Sequence, residues 1–517
     1  MHEYSAVWVL PPTLTPTCLS ADWQVVEQRR TVTSCTFYDT FEWGLWFSGH
    51  LLYNDGNGYL LQAFSNGWPE TIECTEQGGG KRFWYEFSSK PMRRRLRTYL
   101  GLRGLAAVAA GAFVTQYCDL RNESGKIVCR IEWSCVADEP GKDACFTSCK
   151  VLPLRGYEEE ALQVASRLAE LGTTPSGPGP VSLLLQRSGH TPRVYTLKPA
   201  FALSFETPAR EAVGRIIATI LTIAESNRAG IMADLDTEFL HDYRICLRKA
   251  RSLLGLVKNV YPAGETERFR NQLGELARAT NRLRDLDVYA LTYYDHLENL
   301  PTPLHKGLAR IFSRFSAERK REQRRISTHL QDHAGSSPLN DIIAEISNVS
   351  GHADSAAAFQ QIGPLVFKGI LKRYRKIKAI AETITPETSD ETLHQLRIAC
   401  KKLRYLMEFF NELFPPDESQ LLQRQLRRLQ GALGDFNDSS VQQEFLLGWW
   451  HKHQAATDSS LAMGGLLTLL HQRRKESRQQ IDKMLKEFTD SSTAATFKRI
   501  FKLHVAPPKN SRKDRLQ

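Results

Sequence analysis

The sequence predicts an α+β protein in which an antiparallel β-sheet precedes an all-α region. Three observations support this fold class. Residues 1–160 contain short segments of β-branched and aromatic residues separated by turns rich in Gly, Asn and Asp. From Pro208 to Phe501 the apolar residues recur at the 3.6-residue period of a helix. One motif occurs twice within this second region, which indicates an internal repeat.

The N-terminal region should form a long antiparallel sheet that could close into a barrel. Turn sequences at Asn54–Gly58, Gly78–Gly80 and Asn122–Gly125 separate several of its strands. A helix is expected at Glu158–Leu171, because a glycine ends its apolar period, and one more strand at Arg193–Leu203. The other expected strands are Ala6–Leu10, Trp23–Val26, Val32–Tyr38, Leu45–Tyr53, Tyr59–Ala63, Phe83–Phe87, Ala112–Leu120 and Ile127–Val136.

The all-α region should consist of two half-units, 208–335 and 354–500, separated by a loop-rich segment at Gly335–Ala353. We therefore divide the chain into a β domain at 1–205, a helical domain at 206–505 and a disordered basic tail at 506–517. The expected helices lie near 208–229, 234–260, 264–282, 285–298, 302–331, 357–381, 389–413, 417–434, 437–455 and 460–488.

The excess positive charge of the chain lies in its helical part. Residues 1–200 carry 20 basic and 20 acidic side chains, whereas residues 201–517 carry 48 and 37, which accounts for the net charge of +11. A basic half predicts a polyanionic partner such as polyphosphate, nucleic acid or an anionic membrane surface. No apolar run approaches the roughly 20 residues of a membrane span. Eight of the ten cysteines precede residue 150 without zinc-type spacing, and no signal peptide is evident, so we expect a cytoplasmic protein.

Two basic helices carry the repeated motif. The first copy reads HDYRICLRKAR from His241 to Arg251, and the second reads HQLRIACKKLR from His394 to Arg404, without a gap at an offset of 153 residues. Helical positions i, i+3, i+7 and i+10 fall within about 80° of one another. The resulting stripes are His241, Arg244, Arg248 and Arg251, and His394, Arg397, Lys401 and Arg404. Like charges at these spacings repel one another, which destabilises each helix unless an anion binds to the stripe. We therefore favour an anionic ligand, and a solvated basic face is the alternative.

The first motif helix should bury the face opposite its stripe. The apolar residues of that face are Tyr243, Cys246, Leu247, Ala250, Leu253 and Leu254. An acid also follows each stripe at the same distance: Asp285 lies 44 residues after His241, and Asp438 lies 44 residues after His394. Both acids are expected in Asp-rich turns. They would either cap helices or orient a basic side chain of their own half.

The paired motifs and the run LRRLQGALGDFNDS at Leu426–Ser439 resemble the CHAD domain, the conserved-histidine α-helical domain, over about residues 208–500. The resemblance implies two antiparallel four-helix bundles related by a pseudo-twofold axis, with a basic groove or pore that binds inorganic polyphosphate. It also implies the binding residues, which are His241, Arg244, Arg248, Lys249, Arg251, His394, Arg397, Lys401, Lys402 and Arg404, with Arg373, Arg375 and Lys376 as additions. Arg319, Arg321 and Arg325 are further candidates.

The N-terminal half resembles a degenerate CYTH domain, the triphosphate-tunnel barrel. Thr36–Thr40 is similar to the YYDT segment of that family, Lys81–Phe87 stands where an R-x-E-x-E strand is expected, and Leu152–Glu158 where a strand leads into the last helix. The opening E-x-E-x-K motif, whose glutamates hold the divalent metal in the family, is absent. One acid, Glu132, remains where an alternating pair is usual. The resemblance therefore favours a structural barrel without catalytic residues, metal or cofactor.

The function expected from these observations is polyphosphate binding, with targeting to polyphosphate granules or their organisation as its use. Two other classes remain open. The barrel could act as an inorganic triphosphatase, which would require Mg²⁺ or Mn²⁺. The basic helices could bind nucleic acid non-specifically, although Tyr405 is the one aromatic residue beside the stripes that could stack on bases. The barrel could also dock a partner protein.

Overall fold

The computed structural model describes residues 7–65, 68–139, 143–172, 179–331, 337–348, 355–385, 387–452 and 457–502. The chain divides into two units, Met1–Tyr195 and Thr196–Gln517. The first is mainly a β-sheet and the second is helical, so the predicted α+β fold class is confirmed. The predicted tail at 506–517 lies outside the described residues.

The first unit is built on an eight-stranded antiparallel sheet of order β1-β8-β7-β6-β2-β3-β4-β5. Within the described ranges, β1 and β5 are the two ends of this hydrogen-bonded order. The strands are β1 (Val7–Leu10), β2 (Gln24–Asp39), β3 (His50–Asn54), β4 (Gly58–Ser65), β5 (Trp68–Gln77), β6 (Ala106–Arg121), β7 (Ile127–Ala137) and β8 (Phe146–Pro153). Its helices are α1 (Gly44–Phe47), α2 (Lys90–Leu100), α3 (Glu158–Leu171) and α4 (Pro180–Arg187).

Several local predictions for the sheet are corrected by the structure. The two segments expected at Trp23–Val26 and Val32–Tyr38 are one strand, β2, which continues through an irregularity beside Glu27. The strand expected at Phe83–Phe87 is wrong: a 3₁₀ turn forms there, because Glu86 accepts hydrogen bonds from the backbone of Arg82 and Phe83. Strand β5 was not predicted, since an edge strand with a proline and four acidic or amide side chains has no apolar period.

The second unit contains twelve described helices. These are α5 (Ala209–Ser226), α6 (Arg228–Met232), α7 (Thr237–Leu256), α8 (Ala263–Ala279), α9 (Asn281–Asn299), α10 (His305–Gln331), α11 (Pro338–Ser347), α12 (Ile362–Ala381), α13 (Asp390–Phe409), α14 (Pro416–Lys452), α15 (Thr457–Thr489) and α16 (Ser491–Lys502). The helices expected at 417–434 and 437–455 are one continuous helix, α14. The expected break at Gly335–Ala353 contains α11, and the strand expected at Arg193–Leu203 is irregular chain.

An approximate twofold axis relates the two halves of the helical unit. Helices α5 and α12, α7 and α13, α8 and α14, and α11 and α16 begin 153 residues apart. The backbone N–H of Ala209 donates to the carbonyl of Gln360 at 2.8 Å, and the N–H of Ile362 donates to the carbonyl of Thr207 at 2.9 Å. Each donor is the repeat equivalent of the other, and so is each acceptor. This reciprocity is the property of a contact on a twofold axis.

The two halves share one apolar core. Helices α9 and α10 pack with α14 and α15 around Leu286, Phe315, Trp449 and Leu466, all of which are buried. Tyr289 stacks on Phe445 with ring centroids 4.6 Å apart. Because residues from both halves fill this core, the halves cannot separate without exposing it. Their surfaces, including the two motif helices, are therefore held in a fixed relation.

Candidate functional site

Helix α7 presents the first motif as predicted. Asp236 caps its N-terminus by accepting hydrogen bonds from the N–H groups of Glu238 at 2.9 Å and Phe239 at 3.3 Å. All six residues predicted for the apolar face are buried: Tyr243, Cys246, Leu247, Ala250, Leu253 and Leu254. On the opposite side, Arg248 and Arg251 are exposed.

Helix α13 presents the second motif in the same way. Ser389 caps its N-terminus by accepting a hydrogen bond from the N–H of Thr392. Leu393, Leu396, Cys400 and Leu403 are buried in the core. Among the motif residues, His394 and Lys402 are exposed, whereas Arg397, Lys401 and Arg404 are half-buried.

The two cationic stripes meet where α7 packs against α13. Burial, together with the positive charges of Arg397 and Arg248, lowers the pKa of the Lys401 ammonium to about 8. Burial likewise lowers the pKa of Arg397, where Asp438 acts in the opposite sense and Arg248 adds to the decrease. We name Arg248, Arg397 and Lys401 the stripe cluster. Within it, the buried Nε of Arg397 lacks a hydrogen-bond partner among the described residues.

Arg244 lies on the first stripe but is engaged within the fold. Its Nη1 donates to the carbonyl of Ala277 at 2.6 Å and to Oγ1 of Thr280 at 2.7 Å, and its Nη2 donates to Oδ1 of Asn281 at 2.8 Å. These groups lie where α8 ends and α9 begins, so the guanidinium caps the C-terminus of α8. Burial and the neighbouring Arg248 lower the pKa of Arg244 to about 10.

The two acids that follow the stripes lie inside helices rather than in turns. Asp285 belongs to α9 and Asp438 to the middle of α14, so the helix-capping interpretation is wrong. Asp438 Oδ1 lies 3.6 Å from Nη2 of Arg397. Burial raises the pKa of Asp285, and the charge of Arg244 lowers it. Each acid thus accompanies an arginine of its own half, in agreement with the other interpretation.

A second group of cations surrounds Lys402. Burial lowers the pKa of Lys402, and positive charges on Lys376, Arg373, Arg270 and Lys258 lower it further. We name these five residues the flank cluster. Lys258 and Arg270 were not predicted. Lys258 lies two residues beyond the end of α7, and Arg270 comes from α8, so neither residue belongs to the motif helix and the motif gives no signal for them.

Arg270 packs beside the end of α7. The atoms nearest to a Cβ placed on Gly255 would be those of the Arg270 guanidinium, at 3.7–3.8 Å. Arg375, which was predicted with Arg373, is exposed but lies about 160° from Arg373 around α12. The structure therefore places Arg373 and Lys376, but not Arg375, beside Lys402.

Lys249 and Arg404 are engaged in contacts within the fold. Lys249 is only 6% exposed, and its ammonium donates to the carbonyl of Leu197 at 2.7 Å. Arg404 pairs with Glu408 at 2.7 Å, and its guanidinium lies 4.9 Å from the ring centroid of Tyr405. Lys249 follows Arg248 by about 100° around the helix, which carries it off the stripe and under the chain at Leu197.

The two motif histidines have different surroundings. His394 Nδ1 lies 3.1 Å from Oδ1 of Asn437. His241 has ligand atoms of Glu238 and Asp242 within 4.8 Å, a trio with the chemistry to hold a cation. The positive charge of Arg284 lies beside both acids.

Two of the three additional arginines of α10 are engaged in contacts within the fold. Arg319 pairs with Asp287 at 2.6 Å and with Asp234 at 2.8 Å. Arg325 pairs with Glu322 at 2.9 Å and donates to the carbonyl of Ala279. Arg321 is exposed on α10.

The acids of the first unit that suggested a triphosphate tunnel also hold local structure. Asp39 accepts hydrogen bonds from the N–H groups of Thr40, Leu45 and Trp46, which caps α1. Burial raises the pKa of Asp39 to about 6. Lys81, in the segment expected to be a strand, pairs with Glu76. These contacts explain the residues as parts of the fold.

Comparison with known proteins adds to this picture. A family model described as the CHAD domain matches residues 215–447. Two uncharacterised proteins of Mycobacterium tuberculosis, from strains CDC 1551 / Oshkosh and H37Rv, are each 24% identical over 331 residues, 63% of this chain. The chain spans 61% of the length of these curated relatives.

Two solved structures are also similar. The crystal structure of the CHAD domain from the plant Ricinus communis has 21% identity and a TM-score of 0.47, covering 56% of this chain and 95% of that one. PptA from Streptomyces chartreusis has 17% identity and a TM-score of 0.39, covering 54% of this chain and 100% of that one.

The fold and the site define a helical domain with internal twofold symmetry and a cationic surface where its two motif helices meet. The matched region identifies it: the chain carries a CHAD domain, a family linked to polyphosphate binding in general. No helix in the described ranges has the length and apolar character needed to cross a membrane.

Proposed function

We propose that the helical unit binds inorganic polyphosphate at the stripe cluster, with the flank cluster beside it. One observation carries the proposal. Arg248 from the first motif comes together with Arg397 and Lys401 from the second at one helix contact, although the two motif copies are offset by 153 residues in sequence. The CHAD domain match supports it, because that family is linked to polyphosphate binding.

The physical reason is the unfavourable energy of the unoccupied cluster. Arg397 and Lys401 are half-buried beside the exposed Arg248, and the acid near them, Asp438, is 65% exposed and 3.6 Å from Arg397. A polyanion relieves this repulsion through charge-assisted hydrogen bonds to guanidinium and ammonium groups. Polyphosphate has no bases to be read, so charge and spacing are sufficient for its recognition. The exposed His394 is placed on the same stripe and would add a hydrogen bond to a phosphate oxygen.

The wider role follows from the same proposal. Binding in the cytoplasm, with attachment to or organisation of polyphosphate granules, would use the helical unit as the polymer-binding part. The first unit would be a CYTH-like structural domain, since its Asp39 and Lys81 are engaged in local contacts. Inorganic triphosphatase activity is the competing function for that unit, and Mg²⁺- or Mn²⁺-dependent release of phosphate from tripolyphosphate would reveal it.

The test is a binding titration with long-chain polyphosphate, duplex DNA and single-stranded RNA, at several salt concentrations. The full chain is compared with the variant Arg248→Gln/Lys401→Gln. This pair is a better choice than Arg244, because Arg244 caps α8. We expect the variant to lose roughly 100-fold in polyphosphate affinity and to lower the slope of log affinity against log salt, as two phosphate contacts disappear.

A matched control removes the same charge elsewhere in the helical unit. Lys483→Gln/Lys486→Gln changes two exposed lysines of α15 and should leave polyphosphate affinity within about twofold. Equal binding of all three polymers, or an equal loss in both variants, would show a generic basic surface and would reject the specific site.

A further inference from the structure

The repeat equivalent of the flank cluster lacks most of its cations and holds two acids, Glu408 and Glu412. The offset of 153 residues maps Arg373 onto Ile220, Lys258 onto Asn411 and Arg270 onto Gln423. Ile220, Asn411 and Gln423 all line one cavity of about 230 Å³. The twofold axis therefore relates a cationic surface near the end of α7 to a cavity near the end of α13. Three positions that carry basic side chains on the first surface carry uncharged side chains in the cavity.

The closed side is also covered by chain. The segment Leu197–Phe201 lines the same cavity. Glu412 anchors this segment by accepting hydrogen bonds from the N–H groups of Phe201 and Leu203. The carbonyl of Leu197 accepts the hydrogen bond from Lys249 at 2.7 Å. Lys249 is the repeat equivalent of the exposed Lys402, so one lysine of this pair is covered and the other faces solvent.

The two stripes consequently end in opposite ways. On α7, Arg248 and Arg251 are followed four residues later by Gly255, against which Arg270 packs. On α13, the equivalent of Gly255 is Glu408, which pairs with Arg404. A residue four positions further along a helix lies on the same face, so the basic track continues past the end of α7 and stops at an acid on α13.

We propose that the flank cluster is a second binding subsite for the same polyphosphate chain, so that the polymer extends from the stripe cluster along the C-terminal end of α7 and not along that of α13. The inference rests on the proposed function, because the stripe cluster supplies the first contact. It adds two binding residues, Lys258 and Arg270, and it makes the domain a length-sensitive receptor. A short phosphate chain fills the stripe cluster alone, whereas a long chain gains the second contact at high effective concentration.

The experiment compares long-chain polyphosphate with tripolyphosphate as ligands of the full chain. The flank variant is Lys258→Gln/Arg270→Gln, in which both side chains are exposed. We expect its affinity for long chains to fall about tenfold and the salt slope to fall by about 1.4. Its affinity for tripolyphosphate should change by less than about twofold.

The matched control is Lys198→Gln/Arg427→Gln, which removes two exposed cations beside the closed cavity, where Arg427 donates to the carbonyl of Gln423. Long-chain affinity of this control should stay within about twofold of the unaltered chain. Equal losses of long-chain affinity in the flank variant and in the control would overturn the inference while leaving the proposed function intact.

The stripe variant Arg248→Gln/Lys401→Gln distinguishes failure of the proposed polyphosphate binding from failure of the second subsite alone. We expect it to lose affinity for both ligands. If it binds both as well as the unaltered chain does, the proposed function itself is rejected and the second subsite with it. Circular dichroism of each variant, with helical signal equal to that of the unaltered chain, keeps loss of folding separate from loss of binding.

Discussion

The two halves of the helical unit place arginine at the same repeat position and use it differently. Arg244 makes three hydrogen bonds to the junction of α8 and α9. Arg397 has no such junction to cap, because α14 runs continuously through the equivalent residues. Its contact with Asp438 is 3.6 Å long. The repeat therefore preserves the positions of the helices but not the polar partners of equivalent residues. The same motif residue can have a different role in each half.

The largest expected difference between the two halves appears when Arg244 and Arg397 are replaced in turn. Arg244→Ala should lower the free energy of unfolding by about 2–4 kcal/mol, because a half-buried junction loses three charge-assisted hydrogen bonds. Arg397→Ala should change it by less than about 1 kcal/mol, since its acid partner is largely exposed. Urea denaturation of both variants measures the difference. Equal destabilisation would mean that the two arginines have the same structural role.

The affinity for polyphosphate should depend on pH through the Lys401 ammonium. The pKa of Lys401 is about 8 in the folded chain, below the ordinary value of 10.5. Bound phosphate favours the charged ammonium, so polyphosphate affinity should fall by up to roughly tenfold between about pH 7 and pH 9. Titrations at several pH values measure this fall. In Lys401→Arg the decrease should disappear, and a decrease of the same size in that variant would exclude Lys401 as its cause.

The Lys401 ammonium should also make the free energy of unfolding depend on pH, in the direction opposite to its effect on polyphosphate affinity. Between about pH 8 and pH 10.5 the unfolded chain holds the Lys401 proton more tightly than the folded chain does, so this residue makes stability rise with pH in that window. Binding and stability should therefore change in opposite directions as pH rises through 8. Urea midpoints of the unaltered chain and of Lys401→Arg, measured across this window, test the sign.

The smallest expected effect is on long-chain polyphosphate affinity, when the end of α7 is given the acid that the end of α13 carries. Gly255→Glu places an acid where the second half has Glu408, and the nearest neighbour of the new Cβ is Arg270, at ordinary contact distance. Long-chain polyphosphate affinity should fall several-fold through neutralisation of Arg270, while helix propensity adds about 0.5–1 kcal/mol of stability. Gly255→Gln is the uncharged control and should bind normally. Equal weakening by both substitutions would point to steric obstruction instead of charge.

The sequence was sufficient to predict most helices of the second unit, the repeat and the three residues of the stripe cluster, because these depend on a local period and on a motif present twice. Helix α3 matches its predicted bounds of Glu158–Leu171. Helix α11 escaped prediction since its ten residues lie in a Gly- and Ser-containing segment that reads as a loop. Strand β5 escaped because edge strands need no apolar period.

The polar partners could not be predicted, since they depend on packing between distant segments. Nothing near Lys249 in sequence indicates that Leu197 covers it, and nothing near Arg270 indicates that it lies beside Gly255 and Lys402. The engagement of Arg244 depends on the ending of α8 at Ala279, whereas the equivalent chain in α14 continues as helix. The CHAD resemblance is confirmed by the family match, and the CYTH-like assignment of the first unit stays a prediction.

The most direct test of the central claim is a structure of the full chain bound to a polyphosphate of defined length. We expect phosphate oxygens within hydrogen-bonding distance of Arg248, Arg397 and Lys401, with further phosphates continuing toward Lys258 and Arg270. Phosphate bound elsewhere, for example on the first unit or along α10, with the stripe cluster unoccupied, would contradict it.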